Sequence, residues 1–152
     1  MLSALVLTTR GSPAASLTLE TLAGDPQMSP KRLAQAVSDF THEFHAQVQP
    51  PEVFLEKRAG DCDDFAVLAD VVLKQRQFHT RLVHVRMVGR VAHAVCYVQE
   101  SRAYLDYNNR RYLFKLTSSK PRLREIAEKV ADSFEANWTS VSEFSYDAAS
   151  EQ

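Results

Sequence analysis

A short stretch around Cys62 carries residue types that suit thiol chemistry. Gly60 and Asp61 come directly before the cysteine, and Asp63 and Asp64 directly after it. Two aspartates three residues apart, followed by an apolar run, are typical of a carboxylate capping box that begins a helix. Cys62 is then the first helical residue, where unpaired N–H groups and the helix dipole favour a thiolate. The stretch therefore predicts a thiol fixed at the end of a buried, rigid helix.

Two interpretations of Cys62 stay open at this point. Free cysteine is among the residue types most often buried, so a small core cysteine after a turn explains the position without any chemistry. Three flanking carboxylates argue against an apolar site, but negative charge also disfavours a thiolate. We expect Asp61 and Asp64 to support the helix cap, which leaves Asp63 free. A reactive Cys62 then needs a cationic partner from elsewhere in the chain.

A histidine and an aspartate further along the chain are expected to share one face of a sheet. A two-residue loop at Gln99-Glu100 would pair Val98 with Ser101 and place His93 directly opposite Asp106. A four-residue loop shifts the pairing by two residues and still keeps both side chains on one face, whereas an odd loop or a bulge separates them. A purely structural hydrogen bond between the two residues would produce the same pattern.

Cys62, His93 and Asp106 together supply the side chains that thiol acyl transfer requires. The imidazolium gives the thiolate its positive partner, and the carboxylate orients the ring and fixes its tautomer. Each residue alone is a weak signal. In combination they predict attack of the Cys62 sulfur on an amide or ester carbonyl, through a thioester intermediate.

The elements that position these residues follow from the hydrophobic periodicity. Helical spacing of apolar residues predicts helices over about 29–48, over about 62–75 and from residue 121 onward, with a short turn or helix at 51–57. Between 80 and 116 the period changes to two, which predicts antiparallel strands at 80–87, 92–98, 103–107 and 111–116. Asn108-Asn109 is typical of a two-residue hairpin turn. The order of elements predicts an α+β fold.

Composition limits the classes of partner and the cellular setting. The 152 residues suffice for a single domain, with a core over about 29–136 and peripheral segments at 1–28 and 137–152. A formal charge of −1 favours neither nucleic acid nor an acidic membrane as partner. Two cysteines without a CxxC motif, no membrane-length apolar run and no basic N-terminal region favour a reducing, cytoplasmic setting. The sequence carries no signal of an oligomeric state.

The residues around Cys62 resemble the transglutaminase-like superfamily, and most closely its bacterial cysteine-peptidase-like branch. The resemblance covers about 49–109 and implies a papain-like fold, a peptide or protein amide as substrate, and no cofactor. Val95 and Cys96 depart from the family pattern, which often has an aromatic residue close after the histidine, so the pocket wall is expected to differ. The resemblance is carried by Gly60–Ala66, by His93-Ala94, by Tyr104–Asp106 and by the approach Pro51–Leu55.

By this resemblance Cys62 is the nucleophile, His93 the general base and acid, and Asp106 the residue that orients the histidine. The oxyanion hole would use the Cys62 N–H, which points out of the helix start, together with an upstream side-chain donor. Gln49 is the expected second donor, and Gln47 is the next candidate. A small domain without a lid segment favours hydrolysis over transamidation.

Three alternatives compete with the thiol enzyme. An EF-hand loop that starts at Asp61 needs glycine at its sixth position and glutamate at its twelfth, but Ala66 and Val72 stand there. A zinc site made of both cysteines and His93 is disfavoured because strand alternation points His93 and Cys96 to opposite faces. No metal is therefore expected. A non-catalytic module that keeps a papain-like core for binding stays open.

Overall fold

The structure is a computed structural model that describes residues 16–109 and 116–147 of the chain. Its helices are α1 (Leu19–Gly24), α2 (Pro30–Ala36), α3 (Pro51–Lys57), α4 (Cys62–Gln75) and α5 (Leu123–Ser133). Its strands are β1 (Thr41–His42), β2 (Ala59–Gly60), β3 (Thr80–Met87), β4 (His93–Val98), β5 (Ala103–Leu105), β6 (Thr117–Ser118) and β7 (Trp138–Phe144). The fold belongs to the predicted α+β class.

An antiparallel sheet forms the middle of the molecule, with the strand order β6-β5-β4-β3-β7. Alternate residues of β3 and β4 point to its two faces, as the period of two predicts. On one face Leu82, Ala94 and Cys96 pack in a core with α4. On the other face Val85 and Tyr97 pack in a core with α5. Helices therefore cover both faces, and burial of each large side chain contributes roughly 1.5–3 kcal/mol.

Helix α4 begins and ends where the sequence predicts. Asp61 is its N-cap, and Asp64 completes the capping box, so both expected cap residues are confirmed. Such a cap stabilises a helix by about 0.5–2 kcal/mol. The helix is buried along most of its length, and α1, α2 and α3 pack against it. This burial gives Cys62 a fixed position at the start of a rigid element.

The pairing of β4 with β5 differs from the first expectation. Val98 pairs with Ala103 and Cys96 with Leu105, so four residues rather than two connect the strands. The predicted Val98–Ser101 pair is wrong. The four-residue alternative applies instead, and it keeps His93 and Asp106 on one face as diagonal neighbours.

Several predicted elements have different bounds in the structure. The helix expected over 29–48 ends at Ala36, because the chain then leaves to pair β1 with β2 in parallel. Asn108-Asn109 lies in a 3-10 turn over Tyr107–Asn109 and not in a hairpin. The strand expected at 111–116 falls on residues outside the described ones, apart from Leu116, which belongs to no strand.

The C-terminal segment is more integrated than expected. Residues 137–152 were expected to be peripheral, yet β7 lies within them and pairs with β3 along its length. Trp138 and Val141 pack against the core on the α5 face, and Phe144 packs against the core on the α4 face. None of the helices in the described residues combines the length and the apolar character that a membrane crossing requires.

Candidate active site

Cys62 is the first residue of α4 and is half-buried. The residue before the N-cap, Gly60, lies in the extended strand β2, where a Cβ atom would come within 2.4 Å of Asp64 Oδ2 and 2.6 Å of the Phe54 ring. Glycine is therefore required by close approach and not by an unusual backbone angle. The close contact holds the chain that leads into Cys62 against α3 and α4.

Asp64 ties the approach segment to the helix start. Its fully buried carboxylate accepts hydrogen bonds from Asp61 N at 3.0 Å, Gln49 N at 2.7 Å and Gln49 Nε2 at 2.8 Å. Asp61 binds the same approach segment, since its Oδ2 accepts a hydrogen bond from the backbone N–H of His45 at 2.9 Å. Since loss of a partner for a buried polar group costs about 1–3 kcal/mol, this set fixes residues 45–49 beside Cys62.

His93, the first residue of β4, is bonded to Asp106 just beyond the end of β5. The distance from His93 Nε2 to Asp106 Oδ1 is 2.9 Å, and both side chains are buried. Asp106 Oδ1 also accepts from Asn108 N at 2.9 Å, which fixes the carboxylate at the start of the 3-10 turn. The expected hydrogen bond between His93 and Asp106 is present.

Cys62 and His93 line the same cleft, and the Cys62 thiol is a hydrogen-bond partner of the imidazole. Since Nε2 is engaged by Asp106, Nδ1 is the ring nitrogen that is left for the thiol. Burial alone lowers the pKa of His93, but hydrogen bonds that the ring donates to Asp106 and Cys62, and the negative charge of both, raise it to about 10. The Phe134 ring packs edge-on against the imidazole, with centroids 4.8 Å apart. The arrangement favours an imidazolium beside the sulfur.

Asp63 is the remaining carboxylate next to the thiol. Its Oδ1 lies 3.9 Å from the Cys62 sulfur and 3.9 Å from His84 Nε2. Burial raises the pKa of Asp63, and the nearby His84 opposes that shift. His84 is an ordinary strand residue by its sequence pattern, yet it faces the α4 side of β3, close to Asp63, and lies edge-on to Phe144.

Gln49 does not occupy the position expected of a second oxyanion donor. Both hydrogens of its amide are used inside the fold, on Ala59 O at 3.0 Å and Asp64 Oδ2 at 2.8 Å. Gln49 and Gln47 line a cavity of about 940 Å³ that does not include Cys62. Although this cavity is larger than the one beside the thiol, it holds neither His93 nor Asp106. We therefore assign Gln49 to the support of the helix cap.

A smaller cleft of about 380 Å³ opens beside the thiol. Most residues that line this cleft were not predicted from the sequence. The apolar spacing predicted that Phe44 lies on the core face of a helix, but that helix ends at Ala36. His42 and Asn108 are side chains on the cleft wall that can donate hydrogen bonds. The cleft is lined by His42, Phe44, Asp61, Cys62, Asp63, Arg90, Val91, Ala92, His93, Asn108 and Phe134.

Cys96 lies apart from this site. It is fully buried in the core between the sheet and α4, and burial strongly raises the pKa of its thiol. His93 and Cys96 point to opposite faces of β4, as strand alternation predicts. No three His, Cys, Asp or Glu side chains come together as a metal-ligand set among the residues that the structure describes.

Comparison with known proteins gives the fold and the family. LapG of Legionella pneumophila, solved with calcium bound, superposes with a TM-score of 0.56 at 16% identity, over 86% of this chain and 72% of LapG. A candidate cysteine protease of Cytophaga hutchinsonii gives a TM-score of 0.42 at 16% identity, over 84% of this chain and 46% of that one. No curated protein matches the chain.

The likeness to LapG, at this low identity, shows a shared fold and nothing about residues. The family model described as the transglutaminase-like domain matches residues 27–129, which is more than half of the chain and includes Cys62, His93 and Asp106. The protein therefore belongs to the transglutaminase-like domain family.

Proposed function

We propose that this protein is a thiol enzyme that cleaves an amide or ester bond in a peptide-like substrate, with Cys62 as nucleophile. One observation carries the proposal. A half-buried thiol at a helix start faces an imidazole whose far nitrogen is held at 2.9 Å by a buried carboxylate, and all of this borders an open cleft. A purely structural His–Asp bond would not require the thiol or the cleft.

In the proposed reaction the Cys62 thiolate forms a bond from its sulfur to the substrate carbonyl carbon, and the imidazolium of His93 holds the thiol proton. Collapse of the tetrahedral intermediate breaks the carbon–nitrogen or carbon–oxygen bond, and His93 passes its proton to the leaving group. His93 then takes a proton from water as the water oxygen bonds to the thioester carbonyl carbon, and collapse of this second tetrahedral intermediate breaks the carbon–sulfur bond. The products are the released amine or alcohol, a carboxylic acid, and the Cys62 thiolate beside the imidazolium of His93.

Asp106 keeps the imidazole in the orientation that the reaction needs. Its bond to Nε2 directs Nδ1 towards the sulfur, and its charge stabilises the imidazolium. The backbone N–H of Asn108 restrains Asp106 in turn. In this mechanism Asp106 touches no reacting atom and acts as a positioning residue.

The developing oxyanion would be stabilised from the start of α4. The Cys62 N–H has no acceptor among the described residues, unlike the Asp63 N–H, which is capped by Asp61 at 3.2 Å. A free N–H beside the attacking sulfur is the donor that such a hole requires. Because the Gln49 amide is used elsewhere, a second donor would have to come from the cleft wall, where His42 and Asn108 are available.

The proposed chemistry has no step that runs through a metal. LapG was solved with calcium, but in this chain the carboxylates of Asp61 and Asp64 already accept backbone N–H groups. Within the described ranges no set of three ligating side chains surrounds the site. Activity should therefore be the same in EDTA and in added calcium.

Acylation with p-nitrophenyl acetate, followed by mass mapping, tests the proposal. We expect a burst of nitrophenol, an acetyl group on Cys62, and turnover that Cys62→Ala and His93→Ala each abolish. Cys96→Ala is the matched control and should retain the burst. If the wild type released nitrophenol no faster than Cys62→Ala, a non-catalytic binding module would be the better description. Addition of glycinamide then separates transamidation from hydrolysis by the product that forms.

A further inference from the structure

Two of the three most exposed large apolar side chains in the described part of the chain lie at the cleft. Among the described residues the large apolar side chains left most exposed are Phe44 at 65%, Val88 at 62% and Val91 at 73%. Phe44 and Val91 both line the cleft that holds Cys62 and His93, whereas Val88 does not. Neither side chain contributes a core contact that would explain its presence, and exposed apolar surface of this kind commonly marks a binding site.

Phe44 and Val91 reach the cleft from two different connections of the fold. Phe44 follows β1 in a segment whose backbone is pinned by Glu43 N to Gly60 O at 2.8 Å and by His45 N to Asp61 Oδ2 at 2.9 Å. Val91 lies in the connection from β3 to β4, two residues before His93. Two separate segments of the chain therefore present apolar side chains to the cleft that holds the nucleophile.

A third apolar group extends the wall. Phe134 lines the same cleft, contacts the His93 ring, and carries the Arg90 guanidinium over its own ring at 5.4 Å from the centroid. Such cation–π contact holds Phe134 and Arg90 together. The apolar surface thus reaches the imidazole itself, so a substrate group on it would lie beside the reacting atoms.

The charges of the cleft select against ionic side chains at this place. Asp61, Asp63 and Arg90 all line the cleft, so an acidic group meets two carboxylates there and a basic group meets a guanidinium. A large apolar side chain meets neither penalty and removes the exposed faces of Phe44 and Val91 from water.

We propose that the cleft binds an extended peptide segment with a large apolar side chain next to the scissile bond, and that Phe44 and Val91 form the wall for that side chain. This specificity rests on the proposed thiol-enzyme function, since it names the substrate class of the same site. Phe44 and Val91 are specificity-determining residues, and they take no part in proton transfer or in attack on the carbonyl.

Peptide binding to an inactive protein tests the proposal without depending on turnover. Two short fluorescein-labelled peptides, identical except for leucines or serines at the centre, are titrated against the full chain with Cys62→Ala, by fluorescence anisotropy. We expect the leucine peptide to bind about tenfold or more tightly than the serine peptide, as burial of one such side chain implies. Phe44→Ser and Val91→Ser, added to this background, should remove most of that preference, and Phe44→Leu should keep it. Val88→Ser, equally exposed but outside the cleft, should leave it unchanged.

Equal affinity of the two peptides, or an effect of Val88→Ser as large as that of Phe44→Ser, would overturn the proposed specificity. Cleavage of the leucine peptide by the wild-type chain is measured separately. Preferential binding without any cleavage would contradict the thiol-enzyme function and leave the apolar site standing. Cleavage of both peptides at the same rate and with the same affinity would contradict the apolar site and leave the enzyme standing.

Discussion

The two cysteines of this chain lie in regions built by opposite means. The thiol of Cys96 is held by packing, since it is fully buried among apolar side chains of the sheet and α4. Around Cys62 the chain is held by polar bonds: a capping box, a buried carboxylate with three N–H donors, and an ion pair at the cleft. The residue type is the same, so the surroundings decide whether the thiol can react.

This contrast also shows why a reactive group needs more than exposure. Polar bonds fix direction as well as distance, whereas apolar contacts tolerate small rotations. Asp106 and Asp64 each aim a group at the reacting position, the first through His93 and the second through the start of α4. The backbone of Cys96 is held by the sheet on both sides, but its thiol lies among apolar side chains and only fills space.

The largest expected effect is on thiol reactivity, and it tests the comparison directly. Iodoacetamide near neutral pH should alkylate Cys62 at least about 100-fold faster than Cys96, because only Cys62 has a cationic partner and open access. Peptide mass mapping over a time course gives both rates in one sample. Equal labelling, or Cys96 first, would remove the distinction between the two regions.

Loss of directional restraint should have the next largest effect. Asp106→Asn keeps the size of the side chain but removes the charge that holds the imidazolium, so turnover of an ester substrate should fall by about 10²–10⁴. A loss at or below the lower end of this range would indicate that the thiolate is already formed in the resting enzyme. Circular dichroism should show an unchanged fold. An unaltered rate would mean that the bond between His93 and Asp106 is structural only.

A substitution in the closely packed segment before Cys62 should lower stability more than the same substitution at an open position. Gly60→Ala places a methyl group within 2.6 Å of the Phe54 ring and closer still to the Asp64 carboxylate. We expect a loss of about 1–3 kcal/mol in the free energy of unfolding, measured by urea denaturation. Gly24→Ala is the control, because nothing lies within 4 Å of its added Cβ. Equal stability of the two variants would show that the backbone around Gly60 shifts to accommodate the methyl group at little cost.

A dependence of stability on pH is also expected, and it comes from a single titrating group. Because the pKa of His93 is raised in the fold to about 10 from its usual 6.5, the folded state holds a proton that the unfolded state releases first. The stabilisation from this group is complete below about pH 6.5 and is lost as the pH rises through about 10. The difference in urea midpoint between wild type and His93→Gln should therefore shrink from pH 6 to pH 9. A constant difference would contradict the raised pKa.

The helix start and the shared face of the histidine and aspartate could be predicted because each depends on local chemistry. Capping residues act within one turn, so Asp61 and Asp64 are sufficient to locate the beginning of α4. Strand alternation depends only on parity, so His93 and Asp106 fall on one face for any even loop. The loop length itself was not determined, because two- and four-residue loops satisfy the same pattern, and the register of β4 and β5 was therefore wrong by two.

The features that could not be predicted depend on distant partners. Phe44 continues the apolar spacing of Leu33 and Val37, but pairing of β1 with β2 ends the helix early and leaves the ring exposed at the cleft. Tertiary contacts overrode local propensity there. The strand β7 is short of apolar residues and gains its place from hydrogen bonding to β3. The Gln49 side-chain amide donates to Ala59 and Asp64 because the fold brings these residues together. No spacing pattern in the sequence indicates that contact.

The three N–H groups gathered on Asp64 have a consequence for hydrogen exchange. The amides of Gln49 and Asp61 are twelve residues apart in sequence and share one acceptor side chain. Neither can open to solvent without disturbing that carboxylate, so their deuterium uptake should occur in a single cooperative opening. That opening would also release the first turn of α4. The lifetime of the closed state, read from two backbone amides, would then report how long the nucleophile keeps its position.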